Sequence, residues 1–201
     1  MGTGAVITAD IVNSTQFTAD EEKKFKYRLN TILKPYRVEF YRGDSFQVFI
    51  KDAGPALRTV LAIRIEARKI SPRYDVRCSI GIGKINPQIK KLSTATAPAF
   101  VLSGRAFDIL NSTGQRLAIS TENNTINHGL SVISYFVDYL MQHLTEKQAE
   151  VIGELLQDNT QTIAARKLKK SPSTINKHAQ AAGWDEILKL LEEYDQLISI
   201  L

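Results

Sequence analysis

From Gly4 onward the chain is apolar at almost every position, Ala5-Val6-Ile7-Thr8-Ala9-Asp10-Ile11-Val12, until Asn13-Ser14-Thr15 interrupts it, which predicts a buried strand over residues 4–12. A period near 3.6 follows. Phe25, Leu29, Ile32 and Leu33 form one apolar stripe, Thr18 or Asp20 can cap it, Glu21 and Glu22 suit its first turn, and Pro35 stops it, so a helix runs from about 20 to 33. Two short β-rich runs at 37–41 and 45–50 flank the turn residues Gly43-Asp44 and predict a hairpin. Gly54-Pro55 opens a second helix, in which Leu57, Val60, Leu61, Ile63, Ile65 and Ala67 alternate with Arg58, Arg64, Glu66 and Arg68 until Ser71-Pro72. Residues 75–83 read as a fourth strand whose glycines allow close backbone approach. The order βαββαβ is the ferredoxin-like arrangement. A loop over 84–97, a helix over 98–111, a short strand at 116–120 and a helix from Ile126 to Met141, with Val132, Ile133, Phe136, Val137 and Leu140 on its apolar side, complete this part.

The last third changes character. Thr145 and Gln148 form a capping box ahead of Val151, Ile152, Leu155 and Leu156. Thr160 to Leu168 is a short helix with small residues suited to a close crossing. The turn Lys169-Lys170-Ser171 leads into Pro172-Ser173-Thr174-Ile175-Asn176-Lys177-His178-Ala179-Gln180, with Ser171 as cap, Pro172 at the first helical position and Gly183 at the end. Short helix, tight turn and polar-faced helix are the helix-turn-helix layout, whose second helix enters the major groove. Trp184, Ile187, Leu188, Leu191, Tyr194 and Leu197 recur at helical spacing and close the bundle or pair two subunits. The expected class is α+β, with a ferredoxin-like domain at 1–125, a connecting helix at 126–143 and a small all-α domain at 144–201.

Composition narrows the possibilities. At 201 residues, 43% hydrophobic and 23% charged, the chain fits one medium domain and a small one, and no apolar run reaches the roughly 20 residues that span a bilayer. With no basic, apolar leader at its start, the expected location is the cytoplasm. Cys78, alone in the chain, lies in a strand-like run and reads as a buried small apolar residue. His128, His143 and His178 lack metal-ligand spacing. Residues 1–143 hold 19 Lys/Arg against 12 Asp/Glu, and residues 144–201 hold 7 against 9. Yet no acid falls between Asp158 and Asp185, where Arg166, Lys167, Lys169, Lys170 and Lys177 cluster, so an acidic segment carries one basic face. Arg166, Lys167, Lys169 and Lys170 are placed to hold backbone phosphates, while Ser173, Thr174, Asn176 and Lys177 can reach base edges or phosphates, with Ile175 and Ala179 inward, about five phosphate contacts in all.

The remaining chemistry lies in two carboxylates. If the first strand neighbours the hairpin, Asp10 and Asp44 lie side by side, and such a pair can hold Mg²⁺ or Mn²⁺ with places left for phosphate oxygens. Each also has a structural reading: Asp44 as a hairpin-turn residue, Asp10 as a cap for the turn at 13–15.

Thr8-Ala9-Asp10-Ile11-Val12, Arg42-Gly43-Asp44-Ser45-Phe46, Val76-Arg77-Cys78-Ser79-Ile80-Gly81-Ile82-Gly83 and Ser103-Gly104-Arg105-Ala106-Phe107 stand in the order of the signature segments of class III nucleotidyl cyclases, which this part resembles over roughly residues 4–120. The resemblance implies a nucleotidyl-cyclase-type domain, metal on Asp10 and Asp44, nucleotide contacts from Arg42, Gly43 and Arg105, and a site formed between two protomers. The whole architecture, with its helix-turn-helix, is similar to the SatD-like family of bacterial proteins. The 144–183 segment resembles the helix-turn-helix of LuxR-type regulators and sigma-factor region 4. Departures from the cyclase pattern are specific. The places of the catalytic asparagine and arginine hold Asp108 and Ser112, and that of the purine-reading lysine holds Val38. A cyclase needs cations aimed at developing phosphate charge.

Three functions stay open. The favoured one is a transcriptional regulator that binds double-stranded DNA as a homodimer through a non-catalytic cyclase-like domain, with a nucleotide as a possible ligand and no membrane partner. The second is a metal-dependent cyclase acting on ATP or GTP. The third is a scaffold whose helix-turn-helix binds a protein.

Overall fold

Alternation along the first strand decides which side of the sheet each helix covers. The computed structural model describes residues 3–41, 43–85, 89 and 91–201. The elements run β1 (Thr3–Val12), α1 (Ala19–Leu33), β2 (Arg37–Tyr41), β3 (Ser45–Ile50), α2 (Pro55–Arg68), β4 (Asp75–Lys84), α3 (Pro98–Thr113), β5 (Leu117–Ser120), α4 (Asn124–His143), α5 (Glu146–Leu155), α6 (Gln161–Leu168), α7 (Pro172–Ala181) and α8 (Trp184–Ser199). The sheet order is β2-β3-β1-β4-β5, antiparallel except for β4 and β5. The first four strands and two helices are the ferredoxin-like βαββαβ unit, and the chain is α+β. Most elements lie within a few residues of their sequence expectation. The first helix uses Thr18 as its cap, in a reciprocal box with Glu21.

Along β1, Ala5, Ile7, Ala9 and Ile11 enter the main core with α1 and α2. Val6 packs in a second cluster with Phe49, Leu92 and Phe100, while Thr8 and Asp10 face α3. The same period runs through β4. Val76, Cys78, Ile80 and Ile82 join the main core, leaving Arg77, Ser79, Gly81 and Gly83 towards α3. Gly81 is a packing requirement: a Cβ there would lie 2.2 Å from the Ala99 carbonyl oxygen and 2.3 Å from the Ser103 nitrogen. α3 therefore presses its backbone onto β4.

The second helix corrects the sequence reading. Arg64, placed there among the polar alternates, is fully buried. Its Nε and Nη2 each donate at 2.9 Å to Asp75, and its Nη1 donates at 2.6 Å to Asp138 of α4. Asp138 also accepts from the Arg116 and Leu117 amides at 2.8 and 3.2 Å, capping the edge strand β5. Burial pushes the Arg64 guanidinium down, but Asp75 and then Asp138 outweigh it, so the group is held above its ordinary range. For Asp75, burial acts upward and is outweighed by Arg64, Arg68 and the Val76 amide, so its carboxyl lies below its usual range.

The fourth helix is corrected too. Ile126, Leu130, Ile133, Val137 and Met141 face the core, but Val132 and Phe136, expected inside with them, are exposed.

The C-terminal helices share one apolar cluster with the sheet. Gly153 of α5 sits against Lys69 and Ile65 at α2, Arg58 donates to the Leu156 carbonyl at 3.0 Å, and the Tyr194 hydroxyl of α8 donates to the Ala53 carbonyl at 2.9 Å. Among the described residues, no helix is long and apolar enough to cross a membrane.

Candidate functional site

The register places Asp10 opposite Ser45 and Arg77, and the Ile11 amide donates to the Asp44 carbonyl at 3.1 Å, so the two carboxylate residues are backbone neighbours. Their side chains meet different partners. Both Asp10 oxygens are taken by the guanidinium of Arg77, Nε to Oδ1 at 3.0 Å and Nη2 to Oδ2 at 2.6 Å. Arg77 in turn lies 5.5 Å from the centroid of the Phe107 ring. The bidentate bond to Asp10 holds the guanidinium above its ordinary range. Asp44 accepts from the Ser14 hydroxyl at 2.9 Å and from Ser45 at 3.4 Å, and borders a hollow of about 260 Å³ with Ile11, Phe17, Phe25 and Lys26.

A hard divalent ion needs free carboxylate oxygens and repels a guanidinium. With Arg77 seated on Asp10, the residues do not fit a two-metal centre. Among the described residues, no three His, Cys, Asp or Glu side chains gather where a metal could sit.

Of the expected nucleotide contacts, the two among the described residues lie apart. Arg42 lies outside the described residues. Gly43 takes φ 85° in the hairpin turn. Arg105 lines a groove between α3 and α4 with Leu102 and Ile109, away from Asp10. Ser103 and Phe107, one turn apart, face the sheet, so a residue midway between them points outward. Asp108 and Ser112 are exposed, and the Ser112 hydroxyl is bonded to the Ile109 carbonyl.

What the sheet face does carry is a polar band that the sequence reading missed. The Tyr41 hydroxyl donates to Gln47 at 3.0 Å, Gln47 donates to Thr8 at 3.2 Å, Thr8 and Ser103 hydroxyls lie 2.6 Å apart, and Ser79 donates to the Ser103 carbonyl at 2.8 Å. Burial and the nearby Glu39 push the Tyr41 hydroxyl up to about 12. The signal was present as polar residues at alternate positions of three strands: Thr8 and Asp10, Ser45 and Gln47, Arg77 and Ser79.

The second candidate is the α6–α7 pair. Thr160 caps α6, accepting from the Ile163 amide at 3.3 Å. Lys169 turns the chain in the left-handed region at φ 53°, and Ser171 caps α7, accepting from the Thr174 amide at 3.1 Å. Ile175 and Ala179 are buried with Ala164, Ala165, Ala149 and Ile152, which fixes the outward face of α7. Pro172, Ser173, Asn176, Lys177 and Gln180 are exposed there.

The cations divide into two groups. Arg166, Lys169 and Lys177 are exposed, and among the described residues no acid pairs with them. Lys167 is bound to Glu154 at 3.0 Å and Lys170 to Glu150 at 3.1 Å, tying the pair to α5. Thr174 is half-buried, its hydroxyl 2.8 Å from that of Ser171, and the Ser173 hydroxyl lies 2.9 Å from the same atom.

An α+β chain with a ferredoxin-like sheet unit and a helical C-terminal segment is the class these observations define. The chain belongs to the SatD family, whose model matches residues 5–197. No curated protein matches it. Two solved structures of a bacterial light-regulated adenylyl cyclase are similar at TM-score 0.38, with 14% and 16% identity over 59% of this chain and 43% of theirs. The chain thus spans less than half the length of those cyclase chains.

Proposed function

We propose that this protein is a DNA-binding regulator, in which α6 and α7 form a helix-turn-helix and the cyclase-like domain serves as a non-catalytic body for sensing and pairing. The observation that carries it is the outward face of α7. Its exposed Ser173, Asn176, Lys177 and Gln180 are polar or cationic, with Pro172 and Ala181 at its two ends, its buried Ile175 and Ala179 are aliphatic or small, and the exposed Arg166 and Lys169 precede its cap Ser171 in the chain. A helix N-terminus offers unpaired amides and positive potential to a phosphate, and Asn, Gln and Ser side chains match base-edge donors and acceptors. With three unpaired cations rather than five, the log-log salt slope comes to about −3 per subunit.

The Asp10–Arg77 fork speaks against the cyclase reading, because the carboxylate that would hold the ion is already neutralised. Selection of fragments from a random duplex pool by the purified protein tests the regulator reading. An enriched, two-fold symmetric sequence supports it; a pool that stays random after repeated rounds contradicts it.

A further inference from the structure

We propose that the exposed face of α4 is a two-fold interface with a second copy of this chain, the helices crossing antiparallel about Tyr135 and Phe136. This deepens the dimeric part of the proposed regulator, and its test contains no DNA, so the two readings fail separately.

In a chain that is 23% charged, a 20-residue helix should carry about five charges. α4 carries one acidic residue and no lysine or arginine, and the acid is Asp138, buried against Arg64. Its outward face is apolar and aromatic instead. Val132 is 68% exposed, Tyr135 66%, Tyr139 50% and Phe136 39%. Phe136 and Tyr139 lie 5.9 Å apart, and Tyr139 and His143 4.5 Å, giving a continuous aromatic row. A solvated helix face does not look like this; depletion of charge with enrichment of aromatic residues marks the centre of an interface.

The order of residues on that face says what covers it. His128, Ser131, Val132, Tyr135, Phe136, Tyr139 and His143, with Leu140 half-buried at the border of the face, recur at spacings of three and one, and the series is close to symmetric about its middle. Under an antiparallel two-fold, His128 meets His143, Val132 meets Tyr139, and Tyr135 meets Phe136. Each small or aliphatic side chain then faces a larger one, and no carboxylate or ammonium faces its own kind. Such self-complementarity is what an isologous contact requires. A helix of this length is about 30 Å long. With aromatic side chains of about 200 Å² each, its exposed row presents on the order of 400 Å². The exposed Ile109 of α3, which lines a groove with Ser131 of α4, extends that patch towards the roughly 800 Å² per partner of a standard interface.

Sedimentation equilibrium of the whole chain tests the pairing. Wild type is expected at twice the 22.5 kDa chain mass at tens of micromolar. Tyr135→Glu should raise the dissociation constant about 100-fold or more by placing two like charges near the axis. Its circular dichroism should not change, because the side chain stands in solvent. Disulfide trapping reads the register independently of any unfolding. Val132→Cys/Tyr139→Cys should cross-link between chains, Tyr139→Cys alone should not, and the buried Cys78 stays out of the reaction. A wild type of single-chain mass overturns the proposal, as does a folded Tyr135→Glu variant that stays dimeric. Cross-linking of Tyr139→Cys alone overturns the antiparallel arrangement.

Discussion

Arg77 grips Asp10 through two nitrogens, at 3.0 and 2.6 Å, across the β1–β4 pair, and places a fixed cation where a mobile one would otherwise have to bind. In sequence, Asp10 reads as half of a metal site. In space it is half of an ion pair that carries its own counter-charge. The Asp10 carboxylate is therefore neutralised without a ligand, while the Asp44 carboxylate is met by the Ser14 and Ser45 hydroxyls.

This has a direct consequence for metal binding. In a manganese titration followed by the free-ion paramagnetic resonance signal, wild type should leave the ion free below about 1 mM, the weak end of carboxylate sites. Arg77→Met, which keeps the packing stem and removes the charge, should bind measurably more tightly. Tight binding by wild type would show that the fork opens.

The buried Arg64 makes the second prediction. Arg64→Met leaves the buried Asp138 without a cation and Asp75 with Arg68 alone, and should cost about 3–5 kcal/mol in urea unfolding. Asp75→Asn should cost a similar amount at pH 7. Because the folded Asp75 lies below its usual range, the folded chain takes up this proton later than the unfolded chain as pH falls. Its contribution is complete at neutral pH, begins to fade near the unfolded value of about 4, and is lost as pH drops through the folded value. The gap between wild type and Asp75→Asn should narrow over that same range.

A third prediction concerns Gly81. Adding one methyl group drives it into the Ala99 and Ser103 backbone, which cannot rotate away as a side chain could. Gly81→Ala should lose about 1–3 kcal/mol or more by overpacking, measured by thermal unfolding. Gly104→Ala, on the same side of the molecule but with open space around its Cβ, should not lose stability and serves as the control.

Local signals in the sequence were enough to place most elements. Turn residues bracket β2 and β3, and a capping box opens both α1 and α5, so their bounds followed from residues a few positions apart. Long-range partners were not legible. An arginine in a helix reads as solvent-facing unless its carboxylates are known, and Asp138 lies 74 residues from Arg64. Likewise Arg77 gave no sign that it would meet Asp10, 67 residues away. On α4, apolar residues surround nearly the whole helix, so periodicity alone could not separate the core side from the exposed one. The basic cluster was visible, but the acids of α5 that claim Lys167 and Lys170 were not.

The measurement that tests the account most directly is a salt titration of binding to the selected duplex, followed by fluorescence anisotropy. Wild type is expected to give a log-log slope of about −3 per subunit and to survive salt better on the selected duplex than on a scrambled one. Arg166→Ala, Lys169→Ala and Lys177→Ala should each flatten the slope by about 1, and Lys167→Ala and Lys170→Ala, already paired with Glu154 and Glu150, by distinctly less. Equal dissociation from both duplexes, with slopes indifferent to the three unpaired cations, would contradict the assignment of α6 and α7 to DNA.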